Sequence, residues 1–597
     1  MTQRSLPVAS LLGAIVAASF LARLVILTRV HGPWIFPDEL GYEQVAANIA
    51  RGRLALYSER GLSYSPLYPL LLAPPFGFGL SAPTAYGWIK AINALLMSLS
   101  LLPVYGLARF MLPRRAALGV VVLAAVAPLM YYTALGMSEN LAYPLVVLAT
   151  WLLLRTLAAP TPRNDALFLI AALAATATRV QLVVLLPAAL TALLLAAAVQ
   201  PGRRLGRPTH VRAAVNAHRT LVLGIVVLAV AATLPAAFGH SAFSAAGRYS
   251  NVPQSHPSLV KIAKLFVYHA GELVFAAGVI PFVAAVAAAW ILISRGAGER
   301  AIAFAATGVA LTFWLLLETA VATESFERQG DAPRIHERYL FYVVPLFLTA
   351  MLVAARDGRV RRSRIAVPLG ITAAGLGALA IPYQTVVNGT IVADTFSLQF
   401  VARNDTLQAI GHASLAALCV AVGLGLVYFA LRSQVAVLIV LMIAVFVYGS
   451  QRLGARIDRA SNGAHAFFTS SRFDWVDRAH PRGGVALVAG PALTGPVAEW
   501  HTAYYNLSID RLYFACRRTL SPDFGERRLS VARSGTVLTA GRPLRVAYAV
   551  VPTGLGIEGT VHARDRVAGV ELVETQSGVL RVDSAHHARW RCAPSDA

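Results

Sequence analysis

Long apolar runs separated by short polar connections fill the first 450 residues of this 597-residue chain. A spanning helix needs about 20 predominantly apolar residues. Runs of that kind extend from Leu6 to Val30, Trp88 to Phe110, Ala116 to Leu135, Leu141 to Leu157 and Leu221 to Phe238. More follow from Val267 to Ile293, Ala301 to Val321, Leu340 to Ala355, Ile365 to Ile381, Ala413 to Leu431 and Val435 to Tyr448. The stretch Ala166 to Ala198 is too long for one span and is interrupted by Arg179 and Gln181. It predicts two short helices meeting at a polar apex. The pattern therefore predicts a polytopic α-helical membrane protein with about thirteen transmembrane or half-spanning helices. The first run is long, lacks a small-residue cleavage site and continues into an acidic segment, which predicts an uncleaved anchor rather than a signal peptide.

Composition agrees with a bilayer as solvent. Hydrophobic residues make up 57% of the chain and mean hydropathy is +0.61, against about 45–50% apolar residues in soluble domains. The formal charge of +23 would suit nucleic acid, but its placement excludes that need. Arginines crowd alternate short loops: Arg114 and Arg115; Arg163; Arg203, Arg204, Arg207 and Arg212; Arg295 and Arg300; and Arg356 to Arg364. This positive-inside bias predicts a cytoplasmic N-terminus and places the other loops, with the tail after Tyr448, outside. Lysine occurs only at Lys90, Lys261 and Lys264, a bias that suggests a GC-rich bacterial genome and hence the bacterial plasma membrane. Of three cysteines, Cys419 lies in a span, while Cys516 and Cys592 fall in the external tail, where an oxidising compartment permits a disulfide.

The chain thus divides into a membrane body, residues 1–450, and an extracytoplasmic tail, residues 451–597. The long first external loop, residues 31–87, contains an amphipathic helix signal from Glu39 to Ala50, expected to lie along the membrane surface. Later external loops cover residues 239–266, 322–337 and 382–407. In the tail, a helix is predicted over Arg472 to Ala479 and strands at Val485 to Val488, Arg511 to Phe514, Leu544 to Val551 and Val570 to Val573. A small α/β domain follows. No inverted-repeat hydropathy symmetry of the kind found in secondary transporters is present.

Carboxylates gather on the external side: Asp38 and Glu39 after the first span, Glu139 at the next outward turn, Glu318 and Glu324 at a later span end, and Glu337 within His336–Tyr339. A carboxylate and an arginine at one membrane face supply a base for an acceptor hydroxyl and a cation for a departing phosphate. Asp38 and Glu39 also suit a plain helix start, where acidic residues complement the dipole, and Glu139 suits an interfacial carboxylate in water. Arginine favours bidentate phosphate contacts, which singles out Arg338, Arg179 and Arg23. Arg338 can alternatively pair with Glu337 or Glu324, and Arg179 can snorkel outward. Arg23, deep in the first span, requires a cavity carboxylate or a donor phosphate as partner. Arg248, His256, Lys261 and Lys264 suit a grip on the donor, and Lys261 with Lys264 reads alternatively as an interfacial basic face. Asp394 and Asp405 have no supporting motif. Clustered carboxylates can bind Mg²⁺ or Ca²⁺, but no dedicated ligand spacing exists for a metal or other cofactor. In the tail, Trp475, Trp500, His501, Tyr504 and Tyr505 suit either core packing or stacking on sugar rings.

The acidic pair Asp38 and Glu39 with Tyr42 after a first span, an Ala-rich helix, an acidic turn at Glu139 leading into Tyr143, Pro144 and Leu145, and the apex at Thr178 and Arg179 resemble the GT-C glycosyltransferases. Over roughly the first 360 residues the chain is similar to their protein O-mannosyltransferase and lipid A aminoarabinose transferase branch. The resemblance implies a GT-C-like transmembrane domain and a polyprenyl-phosphate sugar donor. It implies Asp38 as general base, with Glu39 beside it and Glu139 as a second acidic group. Tyr42, Arg23, Arg179, His336, Glu337 and Arg338 form the expected substrate-binding set. The acceptor would be a glycan, lipid or protein of the cell envelope. A transporter or lipid flippase, and a catalytically silent envelope assembly protein, are the rival readings.

Overall fold

The computed structural model describes residues 7–34, 38–54, 64–199, 208–237, 257–294, 298–329, 331–387, 394–402, 412–468, 472–489, 496–515 and 527–590. Cys516 and Cys592, together with Pro37, Arg248, His256 and Asp405, lie outside them. Within the described residues, seven helices are long and apolar enough to cross a membrane, and ten when each of three sharply bent pairs counts as one span.

The membrane body begins with α1 (Val8–Leu27), then α2 (Asp38–Ala50) and α3 (Leu67–Gly77), which precede the continuous pair α4 (Ala82–Leu99) and α5 (Leu101–Met111). Next come α6 (Arg114–Val126), a 3-10 turn over Pro128–Ala134, α7 (Glu139–Ala158) and α8 (Pro162–Thr178). Arg179 is extended, at φ −147° and ψ 117°, and the chain resumes through a 3-10 turn into α9 (Leu185–Ala198). The predicted pair of half-helices at a polar apex is therefore present. The body continues with α10 (Pro208–Ala217), α11 (Arg219–Ala237), α12 (Leu259–Ala276), α13 (Val279–Ser294) and α14 (Glu299–Arg328). The run expected as one span, Val267 to Ile293, is instead bent by 113° between α12 and α13. Gly278 makes the bend at φ +84°, a conformation glycine adopts without a Cβ clash. Beyond α15 (Val344–Arg356) and its arginine-rich turn, α16 (Gly358–Arg362), lie α17 (Ala366–Ala380), α18 (Tyr383–Val386) and α19 (Phe396–Ala402). Two last apolar helices, Ala413–Leu431 and Val435–Phe468, close the body, the second running on through residue 450.

The tail carries one eight-stranded mixed sheet, order β5-β4-β3-β2-β1-β6-β8-β7. All four predicted strand runs contribute: β1 (Val485–Ala489), β2 (Ile509–Phe514), β6 (Tyr548–Pro552, at the end of the longer run predicted there) and β8 (Val570–Thr575). The short or polar strands β3 (Arg527–Val531), β4 (Val537–Thr539), β5 (Arg542–Pro543) and β7 (Gly559–Asp565), of which β5 and β7 are the sheet's edges, carry no such signal in the sequence. Central β1 pairs in parallel with β2 and β6 and is buried throughout, as a strand covered on both faces should be. The helix predicted at Arg472 to Ala479 is a single turn, Trp475–Arg478.

One expectation fails in an informative way. α2 does not lie on a membrane surface with one wet face: every residue from Glu39 to Asn48 is buried. The tail covers it. Gln44 Nε2 donates to the Ala503 carbonyl at 3.2 Å, Tyr86 meets Tyr504 edge-on at 5.9 Å, and Leu40, Val45 and Tyr86 share one apolar cluster with Trp475, Val485 and Tyr504. Tyr504 and Tyr505 are therefore interface core.

A ring cluster seals the same junction: His465, Phe473, His501 and Tyr505 lie within 6.1 Å of one another, centroid to centroid, along successive contacts. Burial pushes His465 down to about 4, with His31 and Lys90 adding to the effect. His501 is pushed down to about 3, again by burial first and then by His465. Between pH 6.5 and 4 the undocked chain takes up protons that the folded chain refuses, so docking stability present above pH 6.5 is lost as pH falls. The buried His501 imidazole, titrating freely in the undocked state, contributes up to about 1.4 kcal/mol per pH unit. Limited proteolysis of the tail should accelerate from pH 7.5 to pH 5, and a His501→Phe variant should flatten that dependence; an unchanged slope refutes the role given to His501.

Candidate active site

Glu139 is the centre of the site. It opens α7 and is fully buried, a position that requires a counter-charge. Arg179 Nη1 lies 2.5 Å from Glu139 Oε1, and Arg338 Nη1 lies 3.7 Å from the same oxygen. Arg338 Nη1 also donates to Asp38 Oδ2 at 3.1 Å, and its Nε stands 2.8 Å from Asp394 Oδ1. Arg334 completes the chain, bridging Asp394 at 3.2 Å and Asp331 at 2.5 Å. Four carboxylates and three guanidiniums thus form one continuous network. Within it the Asp38 side chain is 24% exposed, whereas that of Glu139 is wholly enclosed.

Breaks in the helices place these groups. Arg179 is the extended residue between α8 and α9, and its Nε and Nη2 hold Gln181 Oε1 at 3.1 and 2.8 Å. Arg338 lies in a 3-10 turn, Glu337–Tyr339, ahead of α15. The turn before α7 is fixed by Asn140, whose Nδ2 reaches the carbonyls of Tyr132, Leu135 and Met137 at 2.8 to 3.2 Å. Both arginines sit against the Tyr339 ring, Arg179 at 4.8 Å and Arg338 at 5.2 Å, a favourable cation–aromatic contact. Burial works against the charge of Arg338, but Asp394, Tyr339, Asp38 and Glu139 outweigh it and hold the guanidinium well above its ordinary value. Burial also opposes the charge of Arg179, and there Glu139 is the largest counterweight.

Tyr42, one turn after Asp38 on α2, faces the same way: its hydroxyl lies 2.8 Å from Ser138 Oγ, to which Arg179 Nη1 donates at 3.3 Å. Burial raises the Tyr42 phenol, keeping it neutral. Glu39 and Glu43 occupy the other side of α2. Glu39 accepts from the backbone N–H of Trp34 at 2.6 Å and of Gly136 at 2.7 Å, tying the first loop to the Glu139 turn. Burial, then Asp477 and Glu39, hold the Glu43 carboxyl well above the usual range.

Asp38, Tyr42, Glu139, Arg179 and Arg338 are therefore brought together, and the remaining expected residues are engaged elsewhere. Arg23 needs neither carboxylate nor phosphate. Its Nη atoms donate to the carbonyls of Ala125 and Met130 at 3.1 and 2.9 Å and to Thr133 Oγ1 at 3.1 Å, capping the orphan acceptors where α6 breaks. Glu337 accepts from Ser397 N and Oγ at 2.7 and 2.8 Å, anchoring α19 instead of joining the arginine network. His336 Nδ1 lies 2.8 Å from Thr323 Oγ1, and its ring stacks between His269 and Tyr339 at 6.4 and 5.1 Å. Asp394 and Arg334, by contrast, join the network without any motif in the sequence that marks them. Asp394 shares only its compartment with the other acids, and its arginine partners lie 56 or more positions away. Lys261 pairs with Glu327 at 2.8 Å, an ordinary surface contact. Among the described residues no three His, Cys, Asp or Glu side chains converge as metal ligands.

A family described as dolichyl-phosphate-mannose-protein mannosyltransferase matches residues 88–232. No curated protein sequence matches the chain. Among solved structures, ArnT from Cupriavidus metallidurans bound to undecaprenyl phosphate is similar at 14% identity and a TM-score of 0.51, covering 95% of this chain and 98% of that one. The apo form of the same protein gives 15% identity and 0.49, covering 95% and 97%. The oligosaccharyltransferase of Archaeoglobus fulgidus gives 13% and 0.43, covering 83% of this chain and 64% of that one.

The Glu139–Arg179 pair predicts a stability signature. Arg179→Met leaves a buried carboxylate without its nearest counter-ion and should cost about 3–5 kcal/mol, read as a lower thermal midpoint in detergent. Adding Glu139→Gln should recover at least half of that loss; a purely additive double variant contradicts the pairing.

Proposed function

We propose that this multi-pass membrane protein, whose fold is that of the GT-C glycosyltransferases, transfers a sugar from a polyprenyl-phosphate donor to a hydroxyl of a cell-envelope acceptor. The observation that carries the reading is the pairing of an accessible carboxylate, Asp38, with the buried arginine Arg338 at 3.1 Å. Asp38 accepts the proton of the acceptor hydroxyl. The acceptor oxygen forms its bond to C1 of the sugar as the bond from C1 to the phosphate oxygen breaks, with inversion. The polyprenyl phosphate leaves with that electron pair, toward Arg338 and Arg179. Arg338 uses Nη1 and Nε toward the carboxylates, and its Nη2 donates to no described residue, leaving a donor for the phosphate. Tyr42 and Ser138 orient Arg179. The undecaprenyl phosphate bound by the ArnT of similar fold supports a lipid-phosphate donor.

The same reading places the N-terminus in the cytoplasm and the tail outside, because Glu139, Arg179 and Arg338 lie at the helix ends opposite the arginine-rich turns. A bacterial plasma membrane fits the composition.

The test offers the purified full chain and an Asp38→Asn variant a panel of polyprenyl-phosphate sugars with envelope acceptors. Transfer by the variant should fall about 10²- to 10⁴-fold while donor binding persists. Transfer at the wild-type rate removes Asp38 as base. A wild type that uses no donor in the panel removes the transferase reading.

A further inference from the structure

The membrane face opposite the acidic network carries a second built feature. A cavity of about 590 Å³ opens between the ends of α5 and α7 and the starts of α8 and α14, and Arg109, Arg155 and Arg300 line it with Tyr105, Trp151 and Leu102. Both Glu139 and Arg155 belong to α7, so the cavity lies roughly 24 Å along that helix from the candidate active site at 1.5 Å per residue.

Three guanidiniums converge here without a carboxylate. Among the described residues none of them forms an ion pair. Arg109 donates to the Leu112 carbonyl, and the Arg155 guanidinium stands 5.5 Å over the Trp151 ring. Glu299, beside Arg300 at the start of α14, pairs with none of the three among the described residues, and Asp165, at the start of α8, is committed to His218 and the Leu221 N–H, both at 3.2 Å. The aromatic wall is set by the backbone: a Cβ on Gly106 would lie 2.6 Å from the Trp151 ring, so glycine lets the indole lie directly on α5. From Arg109, Leu102 continues the lining about two turns deeper along α5 and is 45% exposed, an apolar position toward the bilayer interior.

Uncompensated arginines favour a phosphate oxyanion through their planar fork. Trp and Tyr mark the head-group level of a bilayer, and basic pockets between spanning helices suit anionic lipid head groups. We propose that this cavity binds the phosphate head group of an anionic glycerophospholipid, with an acyl chain along Leu102, in the leaflet opposite the candidate active site. The proposal is independent of the glycosyl-transfer reading. A bound lipid would neutralise the three arginines and tie α5, α7 and α14 together at this face.

Binding can be read on the full chain in neutral detergent by native mass spectrometry and by the thermal midpoint, with dioleoylphosphatidylglycerol, dioleoylphosphatidylcholine and glycerol phosphate as probes. Phosphatidylglycerol should be retained and raise the midpoint, and the other two should do neither. The combined Arg109→Gln, Arg155→Gln and Arg300→Gln variant should bind phosphatidylglycerol on the order of a hundredfold more weakly, with its lipid-free midpoint unchanged. Should the triple variant misfold, Arg300→Gln alone, at an exposed side chain, should lose about fivefold. Undiminished phosphatidylglycerol binding by the folded variant overturns the proposal, as does equal binding of phosphatidylcholine. Glycerol phosphate bound as tightly as the lipid overturns the lipid assignment in favour of a soluble anion.

Discussion

A carboxylate with no exposure, at the end of an apolar helix long enough to cross a membrane, has to be answered by positive charge. Glu139 is answered twice, by Arg179 at 2.5 Å and by Arg338 at 3.7 Å. Those two arginines come from segments far apart in the chain, and neither lies inside a regular α-helix. The pair thus fixes where α8 must stop, where α9 must begin and how the turn before α15 must fold. Broken backbone at membrane depth exposes carbonyls and N–H groups that lipid cannot satisfy. Side chains close some of these breaks: Arg23 at the end of α6, and Asn140 and Glu39 at the turn into α7. Polar residues that look like substrate contacts in a linear reading are, in several cases, the means by which the true charge network is held in place.

α2 divides that labour between its two sides. Asp38 and Tyr42, four residues apart, share one face and reach Arg338 and Ser138. Glu39 and Glu43, shifted by one position, face structural partners and the tail. The adjacent acids at the start of this helix are consequently not equivalent. Asp38 retains partial exposure, whereas both oxygens of Glu39 are spent on backbone N–H groups.

The hydrophobic pattern revealed most of the membrane architecture because bilayer thickness imposes a length on every apolar run. It also exposed the Arg179 apex, since a charge inside such a run has few structural excuses. The bend at Gly278 was hidden: one glycine in an apolar stretch carries no signature distinguishing a straight helix from a 113° turn. The burial of α2 was hidden too, because its cover comes from aromatic residues of the tail that a local pattern cannot connect to it. In the site, residues adjacent to helix ends were readable, as with Glu139 and Arg338. Asp394 was not, because its meaning depends entirely on which arginines it meets across the fold. Arg23 misled because a guanidinium within a span points equally to a ligand or to broken backbone, and only geometry separates them.

The tail's cover over α2 has a consequence for how the protein is made. Gln44 and its partner Ala503 are separated by 459 positions. At synthesis rates of about 5–20 residues per second, the helix bearing Asp38 waits roughly 20–90 s before the segment that encloses it exists. The membrane helices can be inserted one after another during that interval, while α2 still lacks its cover. A chain that ends just before the tail would carry every residue of the charge network but leave the tail-facing side of α2 uncovered.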